Sequence, residues 1–139
     1  MRYAIVSDIH GNLTALDMVI RDAYEKGVDS FIFVGDYCLS NPYPNECINR
    51  IRDLHNSYAI WGNEESYLEN LHGKDQRNWT DGQMQISYYC YQAVSKENLK
   101  YLSALPKELE LRYADVDILH IHHLPLSAIV NTKNGYLIN

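Results

Sequence analysis

The chain has 139 residues, of which 46% are hydrophobic and 22% charged, so we expect residues 1–139 to fold as one domain. Its formal net charge of −6 disfavours non-specific binding to nucleic acid or to anionic membranes, because both need a surplus of lysine and arginine. Its three cysteines, Cys38, Cys47 and Cys90, fit no zinc or redox motif, and no segment reaches membrane-spanning length. We therefore expect free thiols and a cytoplasmic protein.

The first sixty residues alternate between predicted strands and predicted helices. Short apolar runs rich in strand-forming residues predict three strands, at 3–7, 31–34 and 58–61, of which the first is expected to be buried and the second is apolar on both faces. Asn12 is placed to cap the first helix and Gly27 to end it. Helical spacing predicts inward-facing residues in both helices, namely Leu13, Leu16, Val19, Ile20 and Ala23, then Cys47, Ile48, Ile51 and Leu54. Such alternation predicts right-handed crossovers and a parallel sheet.

The later part of the chain is predicted to be helical and then to return to strands. Helical spacing predicts three helices, at 65–71, 86–94 and 96–104. Ser95 is placed to cap the last of them, and the polar stretch 73–82 is expected to be a loop. Alternating and apolar patterns predict two more strands, at 109–113 and 117–121. The fold class is therefore α/β.

Four predicted strands are each followed by residues that bind metal ions. Asp8 and His10 follow the first strand, Asp36 the second, Asn63 the third and His122 the last. In an open α/β sheet, ligands gather beyond the carboxyl ends of the strands, where these groups would converge. Mixed oxygen and nitrogen ligands suit two divalent cations such as Mn, Fe or Zn.

The arrangement predicts a division of ligands between two metal ions. Asp8 and His10 would hold one ion, Asn63 and His122 the other, and the Asp36 carboxylate would bridge them. Such a pair would polarise a phosphoryl group and lower the pKa of a bridging water, which makes a nucleophilic hydroxide at neutral pH.

Each of these residues also has a purely structural interpretation. Asp8 and His10 could simply precede a helix N-terminus, and Gly35-Asp36 could be an ordinary turn after a strand. Glu64 and Glu65 could be no more than a negatively charged first helical turn.

The ordered set of motifs resembles the calcineurin-like metallophosphoesterases. Asp8-Ile9-His10-Gly11-Asn12, Gly35-Asp36 and Gly62-Asn63-Glu64-Glu65 resemble the D-x-H, G-D and G-N-[H]-[D/E] blocks of that family. Ile121-His122-His123-Leu124-Pro125 resembles the H-G-x-P block of its bacterial branch of predicted phosphoesterases similar to diadenosine tetraphosphatases.

The resemblance implies a sandwich of two mixed β-sheets flanked by helices and a metal-dependent hydrolase of phosphomonoesters or phosphodiesters. Small phosphorylated molecules or nucleotides are the implied substrates. By resemblance, the two-metal ligands are Asp8, His10, Asp36, Asn63 and His122. The implied catalytic residues are Asp36, Asn63 and Glu64, and the implied substrate contacts are Asn12, Asn63 and His123.

The sequence also departs from the family pattern. The final G-H-x-H block is missing, so we expect a C-terminally truncated domain with an incomplete second sheet, whose exposed edge favours a homo-oligomer. Glu64 stands where many relatives have a histidine, and it would serve as an acid only with a raised pKa. Alternative hypotheses are a catalytically impaired binding or scaffold protein and a non-functional truncated product.

Overall fold

The computed structural model of the chain describes residues 2–113 and 116–122, with side chains as far as residue 111 except residue 83. The strands are β1 Tyr3–Val6, β2 Ser30–Phe33, β3 Ser57–Ala59, β4 Glu108–Tyr113 and β5 Val116–His122. The α-helices are α1 Leu13–Glu25, α2 Pro44–Arg52, α3 Asn63–Leu71, α4 Gln85–Ala93 and α5 Lys96–Ser103. Two short 3-10 turns, at Gln76–Asn78 and Gly82–Met84, lie between α3 and α4. The predicted elements are confirmed, with ends displaced by a residue or two, but the prediction of a buried first strand is wrong, because β1 is only partly buried and Ile5 is 58% exposed.

The first three strands form a parallel sheet in the order β1-β2-β3, as the alternation of strands and helices predicted. Phe33 lies opposite both Val6 and Ala59, so the three strands end side by side. All four residues of β2 are buried, which fits the continuous apolar run of a central parallel strand. This register brings the segments that follow the strands to one edge of the sheet.

The core lies between this sheet and the first two helices. Phe31 and Phe33 stack with their ring centroids 6.0 Å apart, and they belong to the same buried cluster as Leu16 and Ile48. Fully burying side chains of this size is worth about 1.5–3 kcal/mol each. The prediction that Val19 faces inward is wrong. Val19 is 43% exposed, because the buried stripe of α1 is narrow and consists of Leu16, Ile20 and Ala23.

The helix ends follow the predicted signals. The Asn12 side chain accepts a hydrogen bond from Ala15 N at the start of α1, and Gly27 follows its end with φ at +69°. Ser95 Oγ accepts a hydrogen bond from Asn98 N at the start of α5. None of the helices in the described part of the chain is long and apolar enough to cross a membrane.

The last two strands form a separate antiparallel sheet, in which His122 lies opposite Glu108. The described part of the second sheet therefore has two strands, in agreement with the expected second sheet. Because β5 lies outside the parallel sheet, the argument from neighbouring strand ends holds for Asp8, Asp36 and Asn63 but not for His122.

Candidate metal centre

The segments that follow β1 and β2 run alongside each other beyond the sheet. Asp8 N donates a hydrogen bond to Gly35 O (3.3 Å), and His10 N donates one to Asp36 O (3.0 Å). Gly11 N continues the series with a bond to Tyr37 O of 2.8 Å. These bonds hold Asp8 and His10 next to Asp36, although 25 or more residues separate them along the chain.

The backbone is strained at this point. Asp8, His10 and Asp36 have φ values of 57°, 50° and 60°, in the left-handed region that residues with a Cβ rarely adopt. Each such residue costs about 1–2 kcal/mol, and strain of this kind clusters at functional sites. A fold that maintains it at three predicted ligands favours a role for them beyond helix capping.

The three side chains form a cluster that could hold a metal ion. One ligand atom from each of Asp8, His10 and Asp36 lies within 4.8 Å of the other two. Asp8 is the most open, with 63% of its side chain exposed, whereas His10 is 32% exposed and Asp36 is buried. His10 Nε2 faces Asp8 Oδ1 at 3.5 Å. The site is therefore open to solvent on the Asp8 side and closed on the Asp36 side.

Asp36 is held by the N-terminus of α3. Its Oδ1 accepts a hydrogen bond from Glu64 N (3.0 Å), and the positive end of the helix dipole favours its negative charge. Gly62 makes the approach feasible, because a Cβ at this position would overlap Asp36 Oδ1 and lie within 2.8 Å of Glu65 Oε2. The third strand end thus contributes a backbone position that only glycine fills.

Glu65 is a structural residue of the site that sequence reasoning missed. Its carboxylate accepts hydrogen bonds from Asp36 N (2.9 Å), Tyr37 N (3.0 Å) and Gly62 N (2.8 Å), and it is 1% exposed. Burial raises its pKa, and the three backbone donors oppose the rise. Glu65 does lie in the first turn of α3, as the structural interpretation had it, but its carboxylate also binds the loop that carries Asp36. The acidic fourth position of the G-N-[H]-[D/E] block was the available signal.

Tyr37 also stabilises the loop that carries Asp36, through hydrogen bonds to the ends of β2 and β3. Its hydroxyl accepts a hydrogen bond from Gly35 N (2.9 Å), and its single proton faces two carbonyls, Phe33 O at 3.0 Å and Ile60 O at 2.5 Å. Burial raises the pKa of Tyr37 well above its ordinary value. The buried phenol joins the ends of β2 and β3 and positions the segment that carries Asp36.

Glu64 also lies in the first turn of α3 and is buried. Its Oε1 lies 2.8 Å from His10 Nδ1, and its Oε2 accepts a hydrogen bond from Leu39 N at 3.3 Å. Burial is the main reason that the pKa of Glu64 is raised to about 7, and the charge of Asp36 adds to the effect while His10 opposes it.

The remaining predicted site residues are not part of the cluster of Asp8, His10 and Asp36. Asn63 is the first residue of α3 and is half-buried, and Asn12 is exposed at the start of α1. His122 is the last residue of β5, and only its backbone is described. Its side chain and all of His123 lie outside the described residues. The structure thus brings together Asp8, His10, Asp36 and Glu64.

Comparisons with known proteins agree with this arrangement. The sequence profile described as calcineurin-like phosphoesterase matches residues 1–137. An uncharacterised protein of Methanocaldococcus jannaschii is 30% identical over 129 residues, which cover 88% of this chain and 49% of that protein.

Two crystal structures resemble the chain. The metallophosphoesterase from Sphaerobacter thermophilus is 31% identical with a TM-score of 0.65, and the match covers 78% of this chain and 42% of that one. A proposed diadenosine tetraphosphatase shares the fold at 24% identity with a TM-score of 0.58, over 77% of this chain and 44% of that one. The chain therefore spans about half the length of these relatives.

The family uses divalent metal ions, and the cluster of Asp8, His10 and Asp36 offers ligand atoms that could hold one. The cluster lies at the ends of parallel strands. The family profile matches nearly the whole sequence, and the fold is similar to that of a solved metallophosphoesterase. The chain belongs to the calcineurin-like phosphoesterase family.

Proposed function

We propose that this chain contributes the metal centre of a metal-dependent phosphoesterase that hydrolyses phosphomonoester or phosphodiester bonds. The observation that carries the proposal is the convergence of Asp8, His10 and Asp36 within 4.8 Å, each with a strained backbone. Strain that folding must maintain at three ligand-type residues is hard to explain by a structural role alone.

The donor set fits a divalent transition metal. Two carboxylates and one imidazole supply the mixed oxygen and nitrogen ligands that suit Mn, Fe or Zn. Asp8, His10 and Asp36 would hold the first cation, and Asp36, Asn63 and His122 the second. When bound, such cations polarise the phosphoryl group and acidify the attacking water.

The residues around the ligands have their own tasks in this proposal. Glu64 N and the buried Glu65 carboxylate fix Asp36 and its loop, so that the carboxylate needs no reorganisation when it binds. Asn12, Asn63 and His123 are proposed to contact the substrate. A direct catalytic part for Glu64 stays a prediction.

A small phosphorylated molecule or nucleotide is the proposed substrate class. The fold neighbour described as a proposed diadenosine tetraphosphatase favours a nucleotide, and the net charge of −6 disfavours long nucleic acids. The free, buried Cys38, Cys47 and Cys90 favour a reducing cytoplasm. Homo-oligomerisation is also proposed, since Ile5 and Tyr58 in the edge strands are 58% and 42% exposed.

A second candidate is a catalytically impaired member of the family that binds a ligand or partner. The observation in its favour is the Glu64 carboxylate beside the metal ligands, 2.8 Å from His10. A negative charge there would repel a phosphate dianion instead of stabilising it.

Elemental analysis and hydrolysis assays of the purified full protein separate the two candidates. After reconstitution with Mn²⁺ or Zn²⁺, we expect about two metal ions per chain and metal-dependent hydrolysis of p-nitrophenyl phosphate or its diester. Asp36→Asn keeps the shape of the side chain, but it should lose metal and lower the rate by roughly a hundredfold or more.

Asp53→Asn is the matched control, because Asp53 is exposed at the end of α2. It should change neither metal content nor rate. The phosphoesterase proposal would be wrong if the wild type bound less than one metal ion per chain and showed no metal-dependent hydrolysis. Stoichiometric metal without hydrolysis of any substrate would favour the binding protein.

A further inference from the structure

The two ring nitrogens of His10 have different surroundings. Nε2 lies towards Asp8 Oδ1, at 3.5 Å. Nδ1 points into the protein, where it is buried and where Glu64 Oε1 lies 2.8 Å away. That separation is within hydrogen-bond range, yet among the described residues no hydrogen bond with acceptable geometry reaches Nδ1, which leaves it a buried nitrogen beside a carboxylate oxygen.

Glu64 is held firmly in the place from which it contacts His10. Its backbone N donates to Asp36 Oδ1 at 3.0 Å, and its Oε2 accepts from Leu39 N at 3.3 Å. The residue is 8% exposed, so its side chain has little room to move. The remaining oxygen, Oε1, is directed at His10 by these contacts. One glutamate therefore touches two of the three clustered ligands, Asp36 through its backbone and His10 through its side chain.

A histidine that binds metal must present an unprotonated nitrogen to the ion. The other nitrogen then carries the proton, and a carboxylate that accepts it fixes the tautomer and makes the ligand more basic. In this site Nε2, which lies on the side of Asp8, would bind the metal, and Nδ1 would then carry the proton. The oxygen that could accept that proton belongs to Glu64.

We propose that Glu64 is a positioning residue for His10, whose carboxylate accepts the Nδ1 proton and so keeps Nε2 available to the metal. This inference rests on the proposed function, because it needs a metal at Asp8, His10 and Asp36. It gives Glu64 a different task from that of a general acid. Both of its oxygens already contact protein groups, and it would act on the reaction through His10.

The first test measures the tautomer in the metal-free protein. Nitrogen-15 NMR of the full protein labelled in histidine should show His10 protonated at Nδ1, with the signal assigned by its loss in His10→Asn. Glu64→Ala should shift His10 to a mixture with substantial protonation at Nε2. The exposed His55 and His72 provide internal references that should not change. An unchanged His10 tautomer in Glu64→Ala would overturn the proposal.

The second test measures Mn²⁺ affinity by calorimetry. Glu64→Ala should weaken binding by about 10- to 100-fold, the effect usual for loss of a carboxylate that supports a histidine ligand. Glu64→Gln should bind between the two, because its amide oxygen still accepts a hydrogen bond but without the charge. Glu69→Ala on the exposed face of the same helix is the control and should leave the affinity unchanged.

The two tests together distinguish failure of this inference from failure of the proposed function. If the wild type binds no Mn²⁺, the proposed function fails, and the inference fails with it even if the tautomer shifts. If the wild type binds Mn²⁺ but Glu64→Ala stays within twofold of it, only the positioning role is overturned. A weaker affinity without a change of tautomer also overturns it, since Glu64 would then act as a direct ligand. Should Glu64→Ala fail to fold, Glu64→Leu, which keeps more of the buried volume and offers no acceptor, decides by the same criteria.

Discussion

Two loop regions of this protein contrast in how they are built. The strand-end loops, 7–12, 34–40 and 60–62, are joined by hydrogen bonds between residues far apart in sequence, such as His10 N to Asp36 O. In the distal loop, 72–84, the backbone hydrogen bonds connect residues no more than three positions apart, such as Asn78 N to Asp75 O. The distal loop is also largely exposed.

The glycines of the two regions differ in how closely they are packed. Gly35 in the strand-end loops has φ at +90°, and a Cβ there would overlap the backbone of Gly62. In the distal loop, a Cβ on Gly73 or Gly82 would meet nothing within 4 Å. The chain thus concentrates close packing where Asp8, His10 and Asp36 converge, and it leaves open space around the two glycines of the distal loop.

The largest effect that this contrast predicts is that of Gly35→Ala. Forcing a Cβ into a left-handed backbone that also contacts Gly62 should cost about 3 kcal/mol or more of the free energy of unfolding. Gly73→Ala, with φ at +71° but open space around it, should cost about 1 kcal/mol. Gly82→Ala should stay within about 0.5 kcal/mol of the wild type. Urea denaturation of the full protein measures all three.

This test depends on the order in which the three glycine variants lose free energy of unfolding. A similar cost for Gly35→Ala and Gly82→Ala would mean that the strand-end loops relax as easily as the distal loop, and the contrast would be lost.

The next effect concerns the carboxylate that holds the strand-end loops together. Glu65→Gln replaces one acceptor oxygen with an NH2 group that faces the backbone donors of Asp36, Tyr37 or Gly62. Losing a charge-assisted bond and leaving a buried donor unsatisfied should lower the free energy of unfolding by about 2–3 kcal/mol. Thermal or urea unfolding measures it.

Glu25→Gln, at the exposed end of α1, is the matched control and should change stability by less than about 0.5 kcal/mol. If Glu65→Gln were equally mild, the three hydrogen bonds would not be what holds the loops.

These contacts mark the limit of what the sequence could predict. Local patterns were sufficient for the strands, the helices and the caps Asn12 and Ser95, because periodicity and capping act between near neighbours. They also placed Asp8, His10 and Asp36 correctly, since the ends of parallel strands meet at one edge.

What the sequence could not predict depends on distant partners. The sequence placed Glu65 in a first helical turn, yet its hydrogen-bond donors include residues 28 and 29 positions away. Asp and His adopt the left-handed region more readily than most residues, but propensity alone could not place Asp8, His10 and Asp36 there together, since tertiary hydrogen bonds hold their segments. Val19 was misplaced for a related reason: the width of the buried stripe on α1 depends on what packs against it.

The smallest predicted effect tests whether Asn12 has one role or two. Asn12→Ala should cost about 1 kcal/mol, because its side chain caps α1 through Ala15 N, and Asn12→Ser should recover most of that. The comparable cap in the distal loop is Asp75, which accepts from Arg77 N at the start of an exposed 3-10 turn. Asp75→Ala should change stability by less than about 0.5 kcal/mol.

Kinetics then separate capping from substrate binding at Asn12. If its amide contacts the phosphorylated substrate as proposed, Asn12→Ser restores stability while KM stays raised, because the shorter hydroxyl cannot replace the amide donor. Both variants are compared in the metal-loaded full protein, with KM and kcat measured on the same substrate. A serine variant with wild-type stability and wild-type KM would contradict a substrate contact and leave Asn12 as a cap alone, like Asp75 in the distal loop.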